Sequence, residues 1–349
     1  MTGPASGTVV FQSGTDGYHT FRIPAIVRTD AGTLVAFAEG RRGGAGDAGE
    51  IDLVLRRSVD GGTTWGPLLV VHSDPPHTVG NPAPVVDPAS GDIVLLTVRT
   101  AGWASEDRIL SGEVEAADAR RVLLQRGTSD GETWSSPQDV TDTVKPDGWR
   151  WYATGPGHAI ALRHGPFAGR LVCPANHSTS DGYGGHALLS DDGGRSWRIG
   201  AVQPADGVID ANETTAAELS DGRVYFSTRN QARGASTTRA YALSDSGGES
   251  FDQPYVLSPG LRTPVVQGSV LAIGSRLAYS GPSDPSARRR MAVRISSDGG
   301  LTWRTACVVS EAPAAYSDLV DLGGQVGLLY ETGETSAYET IRFERIRWT

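Results

Sequence analysis

SVDGGTTW, residues 58–65, returns as SDDGGRSW at 190–197 and as SSDGGLTW at 296–303. Two weaker copies lie between them, TSDGETW at 128–134 and SDSGGESF at 244–251; the first is one residue short and the second has Ser246 where the others carry Asp. Successive copies start roughly 50 to 70 residues apart, the length of one propeller blade. Each follows an apolar strand: IDLVLRRS, RVLLQRGT, HALLS, RAYALS or MAVRIS. The motif is a turn by its chemistry, because Asp caps nearby backbone N–H groups, the Gly pair reaches positive φ, and the terminal aromatic packs back under the hairpin. A calcium loop is excluded, since the EF-hand spacing and its terminal Glu are absent.

Between the turns, GTLVAFAEG, DIVLLTVRT, GRLVCPA, GRVYFSTR, SRLAYSG and VGLLYE supply further strands. Together these predict an all-β chain, a six-bladed β-propeller with Asp-box turns, forming a single domain over residues 1–349. The tail ETIRFERI and the head GTVVFQS are expected to share the last blade. Ligands of such rings bind at the mouth of the central channel, where inner strands and their loops converge.

The composition is that of an ordinary globular chain, with 45 Gly among 349 residues. A net charge of -9 argues against nucleic acid as a partner. Nearly all basic residues are Arg, Lys145 being the only lysine, so arginine position carries meaning and arginine number does not. Cys173 and Cys307 are expected to be buried thiols, since one distant pair is not a disulfide framework. No signal peptide and no apolar run long enough to span a membrane is visible. Localisation stays open between secreted and cytoplasmic.

FRIPAI, residues 21–26, places Arg22 inside an apolar strand. An arginine is almost never buried without a partner, so this one calls for an anion. FRIP near the start, one Asp-box per blade, and a late YSDL followed by LLYE resemble, over essentially the whole chain, the sialidases (neuraminidases) of bacterial and animal exo-acting type. The resemblance implies removal of terminal sialic acid, whose anomeric carbon bears a carboxylate, by a retaining mechanism without metal or organic cofactor.

By the same resemblance Arg22, Arg229 and Arg288 clamp that carboxylate, with Arg289 and Arg290 as neighbouring alternatives to Arg288. Glu331 of LLYETG holds Arg22 in place. Tyr316 is the implied nucleophile and Glu213 its base, Glu218 being the competitor within the same stretch. Asp47, in the glycine-rich run nine residues before Arg56, is the implied acid and base, ahead of Glu50 and Asp52. Arg41 and Asn81 are implied substrate contacts, whereas His158 reads as a structural histidine.

One stretch departs from the family: in CPANHSTSDGYGG, Asn176 and His177 follow the Pro-Ala pair where relatives carry aromatic residues. That leaves the acyl group of the substrate open. The alternatives are a same-fold hydrolase for a related 2-keto-3-deoxy sugar acid, the deaminated form, and a glycan-binding Asp-box propeller without catalysis. The expected partners are sialylated glycans or related sugar acids, and the expected state is a monomer. Trans-glycosylation lacks a visible lectin domain or acceptor platform. Substituting Arg22 by Leu is expected to abolish binding and turnover while the fold survives.

Overall fold

A computed structural model describes residues 7–232 and 238–347. Within them the chain is all-β, from strand Thr8–Gln12 to strand Thr340–Arg347, with only the short helices Glu106–Ser111 and Thr141–Val144 and a 3-10 turn at Gly165–Phe167. None of its helices is long and apolar enough to cross a membrane.

The strands read as continuous apolar runs because both of their faces are covered. Every residue of Leu34–Arg41 is buried. Its Ala36 and Ala38 pack with Phe21, Val54 and Phe343, while Val35 and Phe37 pack on the opposite face with Leu53, Leu55 and Val79. The core is therefore divided into separate apolar clusters. One joins Val94 and Leu96 to Leu171, Leu188 and Trp197.

Pairing follows chain order. Thr20–Arg28, Leu34–Arg41, Ile51–Ser58 and Leu69–His72 form one antiparallel run. Ala211–Glu218, Val224–Asn230, Thr238–Ser244 and Val256–Arg262 form another. The 18-residue strand Arg304–Asp321 serves two runs, its first half pairing with Arg289–Ser296 and its second with Gln325–Thr332. Head and tail meet as expected, Thr8–Gln12 against Thr340–Arg347. The first strands of the runs lie side by side: Thr20–Arg28 neighbours both Thr78–Val86 and Arg304–Asp321, and Ala211–Glu218 neighbours Ser269–Ile273.

The Asp-box turns pin one sheet to the next. Asp60 Oδ1 accepts from Ser58 Oγ at 2.8 Å and from the amides of Thr63 and Thr64, while Ser58 Oγ accepts from Gly62 N at 2.7 Å. Ser190–Asp192 and Ser296–Asp298 repeat this set. The second glycine is dictated by its neighbour: at φ 90° Gly62 lies against Phe343 so closely that a Cβ would fall 2.1 Å from the ring, and Gly300 meets Tyr225 in the same way at 2.3 Å.

In the 244 copy, Ser246 Oγ takes one backbone amide, that of Ser250 at 3.1 Å, where each Asp takes two, and otherwise bonds to Ser244 Oγ, Ser250 Oγ and Ser250 O. Ser246→Asp should restore the missing acceptor and stabilise the protein by roughly 0.5–1.5 kcal/mol, read as a rise of a few degrees or less in the thermal midpoint. An unchanged or lower midpoint would show that this turn tolerates the weaker cap at no cost. Both cysteines are free, but only Cys173 is fully buried; Cys307 is half-buried, which corrects the expectation of two buried thiols.

Candidate active site

The site grows from two strand irregularities. The ladder between Thr20–Arg28 and Leu34–Arg41 slips between Arg22 and Ala25, and Ile23 there adopts φ 58°. A β-branched residue at positive φ is strained and needs support. Glu331, fully buried, gives it: Oε1 accepts from Ile23 N at 2.9 Å and from Arg22 Nε at 3.0 Å, and Oε2 accepts from Arg22 Nη2 at 3.3 Å and from Tyr316 N at 3.1 Å. One carboxylate thus fixes the arginine, the bulge that aims it and the backbone of Tyr316.

The same device recurs on the neighbouring strand Thr78–Val86. Asn81, at φ 52° in a second bulge, donates its backbone N–H to Glu39 Oε1 at 2.9 Å. Glu39 Oε2 accepts from Arg41 Nη2 at 2.6 Å. Arg41 Nη1 in turn holds the glycine-rich loop through Ala45 O at 2.6 Å and Asp47 Oδ1 at 2.7 Å. Asp47 is 76% exposed and also lies 3.8 Å from Arg22 Nη1. Partial burial raises its pKa, but Arg41 and then Arg22 outweigh this and hold it below the usual carboxylate value. In the ligand-free protein Asp47 is therefore biased toward the ionised form, the reverse of what a proton donor needs.

On the strands Arg304–Asp321 and Ala211–Glu218, Tyr316 Oη donates a short hydrogen bond to Glu213 Oε1. Arg229 Nη1 donates to Glu213 Oε2 at 2.8 Å and to Tyr316 Oη at 3.2 Å. Burial first, and then the Glu213 charge, push the Tyr316 phenol far above its ordinary pKa. It stays neutral unless a base removes its proton. Arg22 lies 4.9 Å from the centre of the Tyr316 ring and 4.2 Å from that of Tyr338. Arg288 Nη1 donates to Tyr338 Oη at 3.0 Å and lies 6.0 Å from the Tyr316 ring.

The structure brings together every residue singled out from the sequence and separates the competitors. Arg289 and Arg290 turn to Glu311 instead. Glu218 accepts from the amides of Arg163 and His164. Asp52 takes Tyr18 and Arg42, and Glu50 pairs with Arg42. His158 Nδ1 is 2.7 Å from Asp318 Oδ1, and Asp318 Oδ2 accepts from the amides of His158 and Ile26, the contacts of a structural histidine.

Four participants escaped the sequence reading: Glu39, Tyr338, Arg120 and Tyr183. Glu39 had a signal, since AFAEG mirrors LLYETG, and Asn-Pro at 81–82 mirrors Ile-Pro at 23–24. Tyr183 had none in linear order. It pairs across the hairpin with Ser178, donates to Glu106 Oε1, and lies in the field of both Arg229 and Arg120. Where Asn176 and His177 follow the Pro-Ala pair, the adjacent strand supplies an aromatic ring at Tyr183. Those two residues are themselves fully buried, His177 stacking on Trp149 at 3.6 Å.

The model of the BNR repeat-like domain family matches residues 32–328. An exo-alpha-sialidase of Arthroderma benhamiae is 33% identical over 302 residues, covering 81% of this chain and 68% of that protein. The chain belongs to the sialidase family. A sialidase of Micromonospora viridifaciens is likewise 33% identical, over 93% of this chain but 52% of its own length, so the present chain spans about half of that relative. Among solved structures, a Hadza microbial sialidase superimposes with a TM-score of 0.86 at 28% identity, covering 98% of this chain and 68% of the other. Membership of the sialidase family makes the chain a glycosidase of exo-alpha-sialidase type.

Proposed function

We propose that the chain releases terminal sialic acid or a close relative from glycoconjugates, with retention at the anomeric carbon, and that it is a single six-bladed propeller over residues 1–349. The run-by-run antiparallel pairing, the side-by-side first strands and the joining of head to tail support the ring. The observation that carries the chemistry is Tyr316 hydrogen-bonded to Glu213, with Arg229 on both, beside Arg22 and Arg288.

Arg22, Arg229 and Arg288 receive the substrate carboxylate as charge-assisted donors, each such bond contributing roughly 1.5–3 kcal/mol. A carboxylate nucleophile would face that same negative charge, at a cost of about 4 kcal/mol for ~4 Å and an effective dielectric near ~20. A neutral phenol avoids this repulsion, and sialidases differ from most retaining glycosidases in using tyrosine. Glu213 takes the Tyr316 proton as Oη bonds to the anomeric carbon; the bond to the leaving oxygen breaks, and Asp47 gives that oxygen a proton. Water then attacks the same carbon, Asp47 takes its proton, and the C–O bond to Tyr316 breaks as Glu213 returns the proton to the phenol. Substrate carboxylate seated on Arg22 neutralises one of the charges that depress Asp47, which readies it as a donor only in the complex.

The test is hydrolysis of an aryl sialoside followed by NMR of the first-formed anomer. Release with retained configuration is expected; inversion, or no release, would overturn the reading. Asp47→Ala should lower turnover by about 10²–10⁴-fold for an alcohol leaving group, and by clearly less for a phenolate that needs no proton to depart. Equal losses for the two leaving groups would remove Asp47 from the acid role.

A further inference from the structure

Lys145 is the only lysine of the chain, and the fold sets it among cations. It closes the short helix Thr141–Val144, its backbone N–H donating to Thr141 O at 2.8 Å, and Val144 beside it is fully buried. The side chain reaches back to the strand start, where Nζ donates to Arg120 O at 3.0 Å. That oxygen is a neutral partner. Among the described residues no carboxylate stands within ion-pair distance of the amine. Asp142 of the same helix and Asp139 before it are drawn instead to Arg121, Asp139 lying 2.7 Å from Nε and Asp142 3.9 Å from Nη2.

An ammonium so placed holds its proton weakly. Burial first, and then the charges of Arg120 and Arg121, bring the Lys145 amine down to about 8. An ordinary lysine has fewer than about one amine in a thousand unprotonated at neutral pH, whereas here about one in ten is free to attack an electrophile. The amine is also within reach of solvent. Lys145 is only partly buried, and Pro146, Asp147 and Gly148 after it are exposed. An acyl group on Nζ fits the surroundings, because an amide N–H still donates to Arg120 O and the lost charge ends the repulsion from the two arginines.

We infer that Lys145 is a site of covalent acylation by acyl phosphates, with Arg121 drawing the anionic phosphate toward the amine. The free amine attacks the acyl carbon and the C–N bond forms. The bond from that carbon to the phosphate oxygen breaks, its electron pair leaves with inorganic phosphate, and the nitrogen gives its extra proton to water. The site is independent of the sialidase reading, since labelling is followed without turnover of any glycoside.

Acetyl phosphate is the probe. Native protein and the same chain unfolded in guanidinium chloride are incubated with it across a range of pH, and acetyl groups are mapped by peptide mass spectrometry over time. At neutral pH, Lys145 should be acetylated about tenfold faster in the native protein, the gain in free amine outweighing its lower nucleophilicity. The native rate should level off above about pH 8 and the unfolded rate should go on rising. Arg121→Gln should slow native labelling several-fold, since it removes a cation that draws the phosphate and frees Asp139 and Asp142 to pair with the amine. A native rate no greater than the unfolded one, a native rate that keeps rising like the unfolded one, or an unchanged rate in folded Arg121→Gln overturns the inference. Should that variant not fold, the comparison of native with unfolded chain decides alone.

Discussion

Tyr316→Phe is expected to lower turnover of an aryl sialoside on the order of 10³-fold, within the range for losing a nucleophile or its proton transfer. The substitution removes one oxygen and leaves a ring of the same shape against Arg22. Glu213 keeps its ion pair with Arg229 at 2.8 Å, so no buried charge is stranded and the thermal midpoint should move by only a few degrees. A fluorinated, activated glycosyl donor should leave a covalent adduct on the native protein, mapped to Tyr316 by mass spectrometry, and none on the variant. Turnover equal to native would show that the phenol is not the attacking group. Loss of turnover with the adduct retained elsewhere would move the nucleophile to the labelled residue.

Arg22→Leu should cost both activity and stability, and the second effect separates the structure from expectation. Read as sequence, Arg22 looked like a residue whose loss would spare the fold. In the structure its partner Glu331 is fully buried, and removing one member of a buried pair typically destabilises by about 3–5 kcal/mol. The thermal midpoint should therefore fall by several degrees while kcat/KM on a sialoside falls by about two to three orders of magnitude, as for losing charge-assisted bonds to a carboxylate. Combining Arg22→Leu with Glu331→Gln should recover part of the stability and none of the activity. Recovery of activity would mean that Arg22 serves the fold and not the ligand.

What could be read in advance was whatever one local stretch encodes. The Asp-box turns carry their own hydrogen-bonding partners within eight residues, so 58–65, 190–197 and 296–303 announced both the strand ends and the spacing of the sheets. FRIPAI announced a buried charge, and the family resemblance supplied partners far away in sequence, such as Glu331, which lies 309 positions from Arg22. Illegible were the contacts made by register and by packing between sheets. Tyr183 reaches the site because the hairpin sets it opposite Ser178, and a one-residue slip would have turned it away. Arg120 looked like one more arginine beside Arg121 until Trp151 and Asn81 were seen to enclose it. Arg288 was already favoured over Arg289 in the sequence; what the sequence did not show is how their side chains part, one to Tyr338 and the other to Glu311.

The paired bulges at Ile23 and Asn81, each braced by a buried glutamate, are two castings from one mould set on the neighbouring strands Thr20–Arg28 and Thr78–Val86. Their freedom to vary is unequal. The Ile23 casting aims Arg22, which the proposed mechanism commits to the substrate carboxylate, whereas the Asn81 casting carries Arg120 on its side-chain amide. Substitutions should therefore be borne better around the second casting than around the first, which the proposed mechanism needs as its common handle.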